Sequence, residues 1–263
     1  MGENNQVAIE LLNQDLYGEH DAILYYLTHA WTVAQQYGHQ ILEIANDEMR
    51  HFKWLGHTIA QLGGTPNLTV PEVSPVVDLA SAMQKDVDAE IHAIDQYQTH
   101  VELIPLDPVK ALLNRIVVDE RDHLRQFREL LDHSHGEPTH SDPFNPETNH
   151  IAQTLQHSIH LEYQQMMAYL LASFMQDHQH QMGMDMEERS IDEMRHLGWI
   201  GKQMGLMGAT PQFDAVGTAP IAQGEADEAH LYREMRVWAL DAMPSLVPTI
   251  DRIMAQEAYH ANS

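Results

Sequence analysis

The sequence contains no cysteine in its 263 residues. This absence excludes disulfides, thiolate metal sites, iron–sulfur clusters and any cysteine-bound mononuclear iron centre. Basic residues are also scarce, because 14 Lys and Arg stand against 39 Asp and Glu and leave a formal net charge of −25. Such an acidic chain is not expected to bind nucleic acid or acidic membranes.

Long apolar runs are missing as well, since apolar residues nowhere continue for the ~18 positions that a membrane helix needs. The first six residues have neither the basic start nor the apolar stretch of a secretory signal, so we expect a cytoplasmic protein with no membrane segment. Hydrophobic residues make up 43% of the chain, and its length fits two domains of ~100–150 residues each. The chain is rich in histidine, with 19.

Two stretches half a chain apart are similar. Residues 47–56 read DEMRHFKWLG and residues 192–201 read DEMRHLGWIG, with seven of ten positions identical. An internal repeat with a period of about half the chain predicts two copies of one structural unit. Residues 134–147 are rich in Pro, Gly, Ser and His and lack a periodic apolar pattern, so they predict a linker between domains 1–133 and 148–263.

Apolar residues recur at helical spacing in each half, and Gly and Pro occur where helices would end or begin. The first half predicts helices over 5–36, 39–63, 76–104 and 108–133, and the second over 148–181, 184–207, 219–242 and 245–261. The predicted fold class is therefore all-α, with two tandem four-helix bundles related by internal duplication.

Each half contains two Glu-x-x-His motifs and one glutamate on each of its other two helices. Residues three apart on a helix lie one turn apart on the same face, so two facing helices can bring two carboxylates and two imidazoles together. The two further glutamates complete a set of six ligands for two metal ions. The predicted ligands are Glu19, Glu48, His51, Glu90, Glu120 and His123 in the first half, and Glu162, Glu193, His196, Glu228, Glu257 and His260 in the second.

The charge and type of these ligands indicate redox-active metals. Four carboxylates neutralise two divalent ions, and mixed carboxylate and imidazole ligation suits Fe or Mn, whereas Zn would bind without redox activity. A lone Glu-x-x-His usually lies on a solvated face, but these four motifs have apolar surroundings, a partner helix and a counterpart in the other half. We expect the remaining histidines, including His29 and His39, to lie at the surface.

Residues 13–68 resemble the N-terminal half of bacterioferritins, through Asn13-x-x-Leu16-x-x-Glu19 and Glu48-Met49-Arg50-His51, and the resemblance continues to His123. The second half resembles the same ferritin-like family more weakly. By this resemblance Glu19, Glu90, Glu162 and Glu228 are terminal ligands, and Glu48, Glu120, Glu193 and Glu257 bridge the metals. Rubrerythrins, a neighbouring peroxidase family, share the ligand set, but their cysteine-bound iron domain is missing from this chain.

The resemblance also assigns roles to two pairs of residues. Tyr26 and Tyr169 match a tyrosine that supplies an electron beside the family's di-iron centre, although core packing explains them equally well. Met49 and Met194 match the methionine that holds a haem between paired bacterioferritin subunits. They imply one haem site if the two halves pair as a pseudo-dimer, while a haem-free seam is the simpler interpretation.

These features predict an oxidoreductase, ferroxidase-like or peroxidase-like, that uses iron to reduce dioxygen or hydrogen peroxide with electrons from Fe(II) or an external donor. The alternative is a non-catalytic iron store or buffer of the bacterioferritin type. A third interpretation, oxidation of an organic substrate, has no recognisable pocket to support it. Gln256 stands where the first half has Asp119, and His260 lies close to the end of the chain, so we expect weaker iron binding at the second site. Further oligomerisation is compatible with the sequence.

Overall fold

Eight α-helices form in the part of the chain that the structure describes, because apolar residues recur along each segment every three to four positions and turn one face inward. The computed structural model describes residues 2–74, 78–134, 150–176, 181–213 and 221–260, without the side chains of Gln35, Gln181, Met182 and His260. Within these ranges there is no β-strand. The helices are α1 (Glu3–Trp31), α2 (Gly38–Gln61), α3 (Leu79–Leu103), α4 (Asp107–His133), α5 (His150–Met175), α6 (Gln181–Leu206), α7 (Ile221–Ala242) and α8 (Val247–His260).

The chain divides into two compact units, Met1–Asp142 and Pro143–Ser263. In the first, α1 packs on α2 and α3, and α4 packs on α3 and α2, so the four helices close into a bundle. The second repeats these contacts with α5 on α6 and α7, and α8 on α7 and α6. The prediction of two four-helix bundles is therefore confirmed. The linker predicted at 134–147 lies, apart from Ser134, outside the described residues.

The first helix ends earlier than predicted, at Trp31 rather than residue 36, because the chain turns sharply into α2. The backbone N–H of Ala34 donates to the carbonyl of His29 at 2.9 Å, and a 3-10 turn follows at Gln35–Tyr37. Gly38 then begins α2 so close to α1 that a Cβ there would lie 3.1 Å from the Ala30 carbonyl oxygen. A glycine allows this close approach.

The second helix of each unit ends at a glycine, as the sequence predicted. Gly63 and Gly208 have φ angles of 86° and 75°, in the left-handed region that glycine adopts without strain. None of the described helices has a stretch long and apolar enough to cross a bilayer. Both bundles differ from ordinary helical cores in their buried acids, because seven of the eight predicted glutamate ligands are buried and only Glu257 on α8 is partly exposed.

Candidate metal centres

All six predicted ligands of the first unit meet at the middle of its bundle and are buried. Their ligand atoms form two groups, in each of which the atoms lie within 4.8 Å of one another. The groups are Glu19, Glu48, His51 and Glu120, and Glu48, Glu90, Glu120 and His123. Because Glu48 and Glu120 belong to both groups, each could bridge two ions held by the other four residues.

Both imidazoles turn the same nitrogen toward the carboxylates. His51 Nδ1 lies 3.0 Å from Glu120 Oε1 and 3.1 Å from Glu48 Oε2. His123 Nδ1 lies 2.8 Å from Glu48 Oε1 and 3.3 Å from Glu120 Oε2. Each Nε2 points outward, which leaves Nδ1 as the atom that would bind a metal.

An acid and an arginine stand behind each imidazole. Asp119 Oδ2 lies 3.3 Å from His51 Nε2, and Arg115 donates to Asp119 Oδ1 at 2.5 Å. The matching contacts behind the other imidazole are His123 Nε2 to Asp47 Oδ2 at 3.5 Å and Asp47 Oδ1 to Arg50 at 2.6 Å. A carboxylate in this position fixes the ring orientation and the tautomer of a metal-binding histidine.

Two tyrosines each hold one oxygen of the two outer glutamates. Tyr26 on α1 donates to Glu90 Oε1 at 2.6 Å, and Tyr97 on α3 donates to Glu19 Oε1 in a short hydrogen bond. The other oxygens, Glu90 Oε2 and Glu19 Oε2, have no hydrogen-bond partner. Each outer glutamate therefore has one oxygen fixed by a hydroxyl and one left for a metal.

The unpartnered oxygens test whether a metal fits. One oxygen on each of the four first-unit glutamates is buried without a hydrogen bond. Two of them, Glu48 Oε1 and Glu120 Oε1, lie 2.8 Å and 3.0 Å from an imidazole Nδ1 but outside hydrogen-bond geometry. Leaving a carboxylate oxygen buried and unpaired is costly unless a cation compensates it. Four such oxygens converge with two imidazoles, a donor set that suits a pair of divalent transition-metal ions.

The pKa values of the first-unit ligands indicate which of them are protonated in the metal-free cluster. Burial raises the pKa of Glu19 and Glu90 well above the usual range, and neighbouring carboxylates add to the effect. Burial also opposes ionisation of Glu48, but the facing imidazoles outweigh it and lower its pKa. Burial disfavours the cationic form of His123, yet the carboxylates around it raise its pKa to about 11. The cluster thus retains protons at sites where divalent ions would replace them.

The second unit brings together five of its six predicted ligands. The groups are Glu162, Glu193 and His196, and Glu193, Glu228 and Glu257. His196 Nδ1 lies 3.2 Å from Glu162 Oε2 and 3.3 Å from Glu257 Oε1. Glu193 belongs to both groups, as Glu48 does in the first unit. The side chain of His260, the sixth predicted ligand, lies outside the described residues.

An amide replaces the acid behind the imidazole of this unit. His196 Nε2 lies 3.3 Å from Gln256 Oε1, and Gln256 Nε2 donates to Asp192 Oδ1 at 3.4 Å. Arg195 donates to Asp192 in turn. The ring is still oriented, but the group it touches carries no charge, so it does less than a carboxylate to increase the basicity of the histidine.

The tyrosines of the second unit make different contacts. Tyr232 donates to Glu162 Oε1, which reproduces the contact of Tyr97 with Glu19. Tyr169, the counterpart of Tyr26, donates to Glu225 rather than to the predicted ligand. Arg189 donates to the same Glu225 oxygen at 2.9 Å.

Both oxygens of Glu228 are consequently left without a hydrogen-bond partner. Its counterpart Glu90 offers a metal only the oxygen that Tyr26 does not hold, whereas Glu228 can offer two. The two units therefore differ in how their third-helix glutamate is restrained.

Sequence reasoning missed several of these residues. Tyr97 and Tyr232 were not selected, and His29, expected at the surface, is 1% exposed with its Nδ1 2.8 Å from Asp86 Oδ1. A repeated pattern of Asp, Glu, Tyr and His, offset by 71 positions between α1 and α3, would have identified the first-unit residues. It relates Asp15, Glu19, Tyr26 and His29 to Asp86, Glu90, Tyr97 and His100.

This offset has a structural counterpart, because each member of one set contacts the other set. Tyr26 reaches Glu90 as Tyr97 reaches Glu19, and His100 Nδ1 lies 2.8 Å from Asp15 Oδ1 as His29 does from Asp86. The ligand environment of the first unit is thus nearly two-fold symmetric. His39, by contrast, is exposed as expected.

The two methionines considered for haem differ in burial. Met49 is 5% exposed within the first unit, whereas Met194 is half-buried in the second. Haem binding by these residues stays a prediction.

Comparison with known proteins gave three kinds of match. A family model described as a ferritin-like domain matches residues 9–135. EncC, an encapsulin nanocompartment cargo protein of Myxococcus xanthus, is 31% identical over 62 residues, which are 24% of this chain and 48% of that protein. The chain thus spans about half the length of the curated relative that it matches.

Two solved structures also match. A ferritin-like, diiron-carboxylate protein from Bacillus anthracis is 28% identical with a TM-score of 0.47, and the match covers 50% of this chain and 99% of that one. The bacterioferritin of Desulfovibrio desulfuricans is 23% identical with a TM-score of 0.48, over 55% of this chain and 100% of that one.

Proposed function

Since the chain belongs to the ferritin-like superfamily, we propose that it is an oxidoreductase that reduces dioxygen or hydrogen peroxide at two di-iron centres, one in each unit. The observation that supports this most directly is the first-unit cluster of four buried glutamates, each with an unpartnered oxygen, around two imidazoles. Ferroxidase-like and peroxidase-like activity are the two forms of the proposal, and they differ in the oxidant.

In the first unit, Glu48 and Glu120 would be the ligands that the two ions share. Their membership of both ligand groups supports this role. Glu19 and His51 would complete one metal position, and Glu90 and His123 the other. Because a tyrosine hydroxyl holds one oxygen of Glu19 and one of Glu90, each of these glutamates would bind metal through its other oxygen.

In the second unit, Glu193 and Glu257 are the proposed bridges, with Glu162 and Glu228 as terminal ligands. His196 supplies the imidazole of one position, and we assign His260 to the other from its place in the motif. Shared membership of both groups supports the bridging role of Glu193. Glu257 is less buried than the other carboxylates, with 15% of its side chain exposed.

A pair of iron ions would supply two electrons, which with two protons reduce dioxygen to hydrogen peroxide or hydrogen peroxide to two waters. Four carboxylates balance the charge of two divalent ions, and Mn suits the same donors. In the first unit the protein orients each imidazole through Asp119 or Asp47 and holds each outer glutamate through a tyrosine hydroxyl. Tyr26 lies one hydrogen bond from the proposed ligand Glu90, which supports its role as an electron donor to the site.

The hydroxyl of Tyr169 is bonded to Glu225 and Arg189 and not to a proposed ligand, so any electron transfer from it would use a different route. An external electron donor and a cytoplasmic location remain part of the proposal. The alternative function is iron storage or buffering, in which iron accumulates instead of turning over.

Anaerobic Fe(II) titration followed by measured pulses of dioxygen or hydrogen peroxide tests this proposal. Binding should saturate near four Fe(II) per chain, and repeated pulses with a reductant should give turnover at constant iron content. Glu48→Ala should abolish binding in the first unit only, and Glu43→Ala, an exposed position on the same helix, should leave both sites unchanged. Iron uptake that continues far beyond four per chain would favour storage, and saturation near two would rule out two working centres.

A further inference from the structure

A cleft between α1 and α3 leads to the metal ligands of the first unit. Its cavity is about 210 Å³, which at about 30 Å³ per water holds an ion with several of its waters. Small residues on the two facing helices leave this space, and the carboxylates of Glu19, Glu48, Glu90 and Glu120 lie along it. The small residues are Gly18, Ala22, Ala89 and Ala93.

An acid that is not one of the six proposed ligands also lines the cleft. Asp15 is 1% exposed, and its Oδ1 accepts from Gln96 Nε2 at 2.9 Å and lies 2.8 Å from His100 Nδ1. Its Oδ2 is buried with no hydrogen-bond partner. Asp15 is therefore held in one orientation with a free carboxylate oxygen beside the route to the centre.

The second unit has larger side chains at the matching positions. Aligning Glu162 with Glu19 and Glu228 with Glu90 places Leu161, Gln165, Asp227 and Leu231 where the first unit has Gly18, Ala22, Ala89 and Ala93. Three of these four replacements are long side chains, so the space that forms the cleft in the first unit is not preserved.

Gln165, at the position that Ala22 occupies in the first unit, is buried between α5 and the start of α7. It is 3% exposed, and its Nε2 donates to the carbonyl of Ile221 at the start of α7, at 2.9 Å. Its amide lies against Gly224, where a Cβ would come within 2.2 Å of Gln165 Oε1. A glycine at 224 is thus what lets the glutamine lie between α5 and α7.

We propose that the α1–α3 cleft is the uptake path of the first unit for a hydrated divalent cation, with Asp15 as a transient ligand on the way, and that Gln165 closes the matching face of the second unit. This inference rests on the metal centres proposed above. The path presents carboxylate oxygens, the ligands that a partly hydrated divalent ion accepts most readily, and its acidic lining attracts cations. A cavity between α7 and α8 of the second unit has Glu257 as the one proposed ligand in its lining, against four in the first-unit cleft. We therefore expect metal to reach the second centre more slowly, through that cavity or after local opening.

The experiment follows anaerobic Co(II) uptake by stopped-flow absorption, because the visible spectrum of Co(II) changes when protein ligands replace water. Wild type should fill in two phases, and Glu48→Ala should remove the faster one. Ala22→Gln should slow the fast phase by about tenfold or more, since entry then requires local opening of the bundle, and leave the final amplitude unchanged. Asp15→Asn should slow the same phase without changing the amplitude.

Gln165→Ala should accelerate the slow phase, and Ala111→Gln, which places the same side chain on an exposed face of α4, should change neither phase. A fast phase unchanged in both Ala22→Gln and Asp15→Asn would overturn the proposed path, whatever happens in the second unit. A wild type whose amplitude never reaches two Co(II) in the first unit would instead refute the metal centre itself. Because Ala22 is only half-buried and Asn matches Asp in shape, both variants should fold.

Discussion

Replacing Tyr97 with Phe removes one hydroxyl and leaves the aromatic ring in place. That hydroxyl donates to Glu19 Oε1 in a fully buried setting. A hydrogen bond to a charged group contributes about 1.5–3 kcal/mol, and every 1.4 kcal/mol is a factor of about ten in affinity. Loss of the hydroxyl should therefore weaken metal binding at the first centre by roughly 10- to 100-fold, the range typical for losing a partner of a metal ligand.

The measurement is a competition titration with a chromophoric chelator under anaerobic conditions, in a background where Glu193→Ala and His196→Ala have disabled the second centre. Tyr17→Phe is the matched control, because Tyr17 is 40% exposed on α1 and holds no ligand. Tyr232→Phe should have the corresponding effect on the second centre when the first is disabled. An affinity that changes by less than about twofold in Tyr97→Phe would show that the hydroxyl does not restrain the glutamate.

Four further predictions follow from the two bundles. Removing metal with a chelator should lower the melting temperature measured by circular dichroism, because the buried carboxylates lose their compensating charge; equal melting curves would contradict it. His29→Ala should reduce the free energy of unfolding in urea by about 3 kcal/mol, because it breaks a buried pair. This loss should be smaller at lower pH, since burial raises the pKa of the partner Asp86 and a protonated carboxyl needs no cation beside it. Gln256→Asp should tighten metal binding at the second centre about tenfold by restoring a carboxylate behind His196, whereas weaker binding would refute that role. Reconstitution with haemin tests the haem prediction: a stoichiometric low-spin spectrum that Met49→Leu with Met194→Leu abolishes would support it, whereas identical spectra from both proteins would leave the haem-free seam.

The parts of the fold that the sequence predicted are those governed by local geometry. Helix periodicity and the glycines at 63 and 208 located eight helices and the ends of α2 and α6. The Glu-x-x-His spacing depends only on helical rotation, so it identified residues that the structure does bring together, such as Glu48 and His51. The early end of α1 was missed because it depends on the approach of Gly38 to another helix.

The missed site residues act across the bundle instead of along one helix. Tyr97 and Glu19 are 78 positions apart, and only the 71-position repeat that relates α1 to α3 connects them in the sequence. His29 was placed at the surface because a lone histidine usually lies there, whereas its buried acid Asp86 is on a different helix. Tyr169 lies at the helix position that the resemblance indicated, but its hydroxyl donates to Glu225, which is paired with Arg189, and not to a predicted ligand.

The two-fold arrangement of the first unit bears on how its two metals would behave. With a tyrosine, a buried acid and a histidine repeated on either side of the axis, the two metal positions proposed for the first unit would have closely similar surroundings. Electrons would then be drawn from both ions on equal terms, as suits a reaction that takes two at once. In the second unit, Glu225, Arg189 and Gln256 have no such symmetric counterparts. Its two metal positions would therefore have unequal reduction potentials, and one ion would lose its electron before the other.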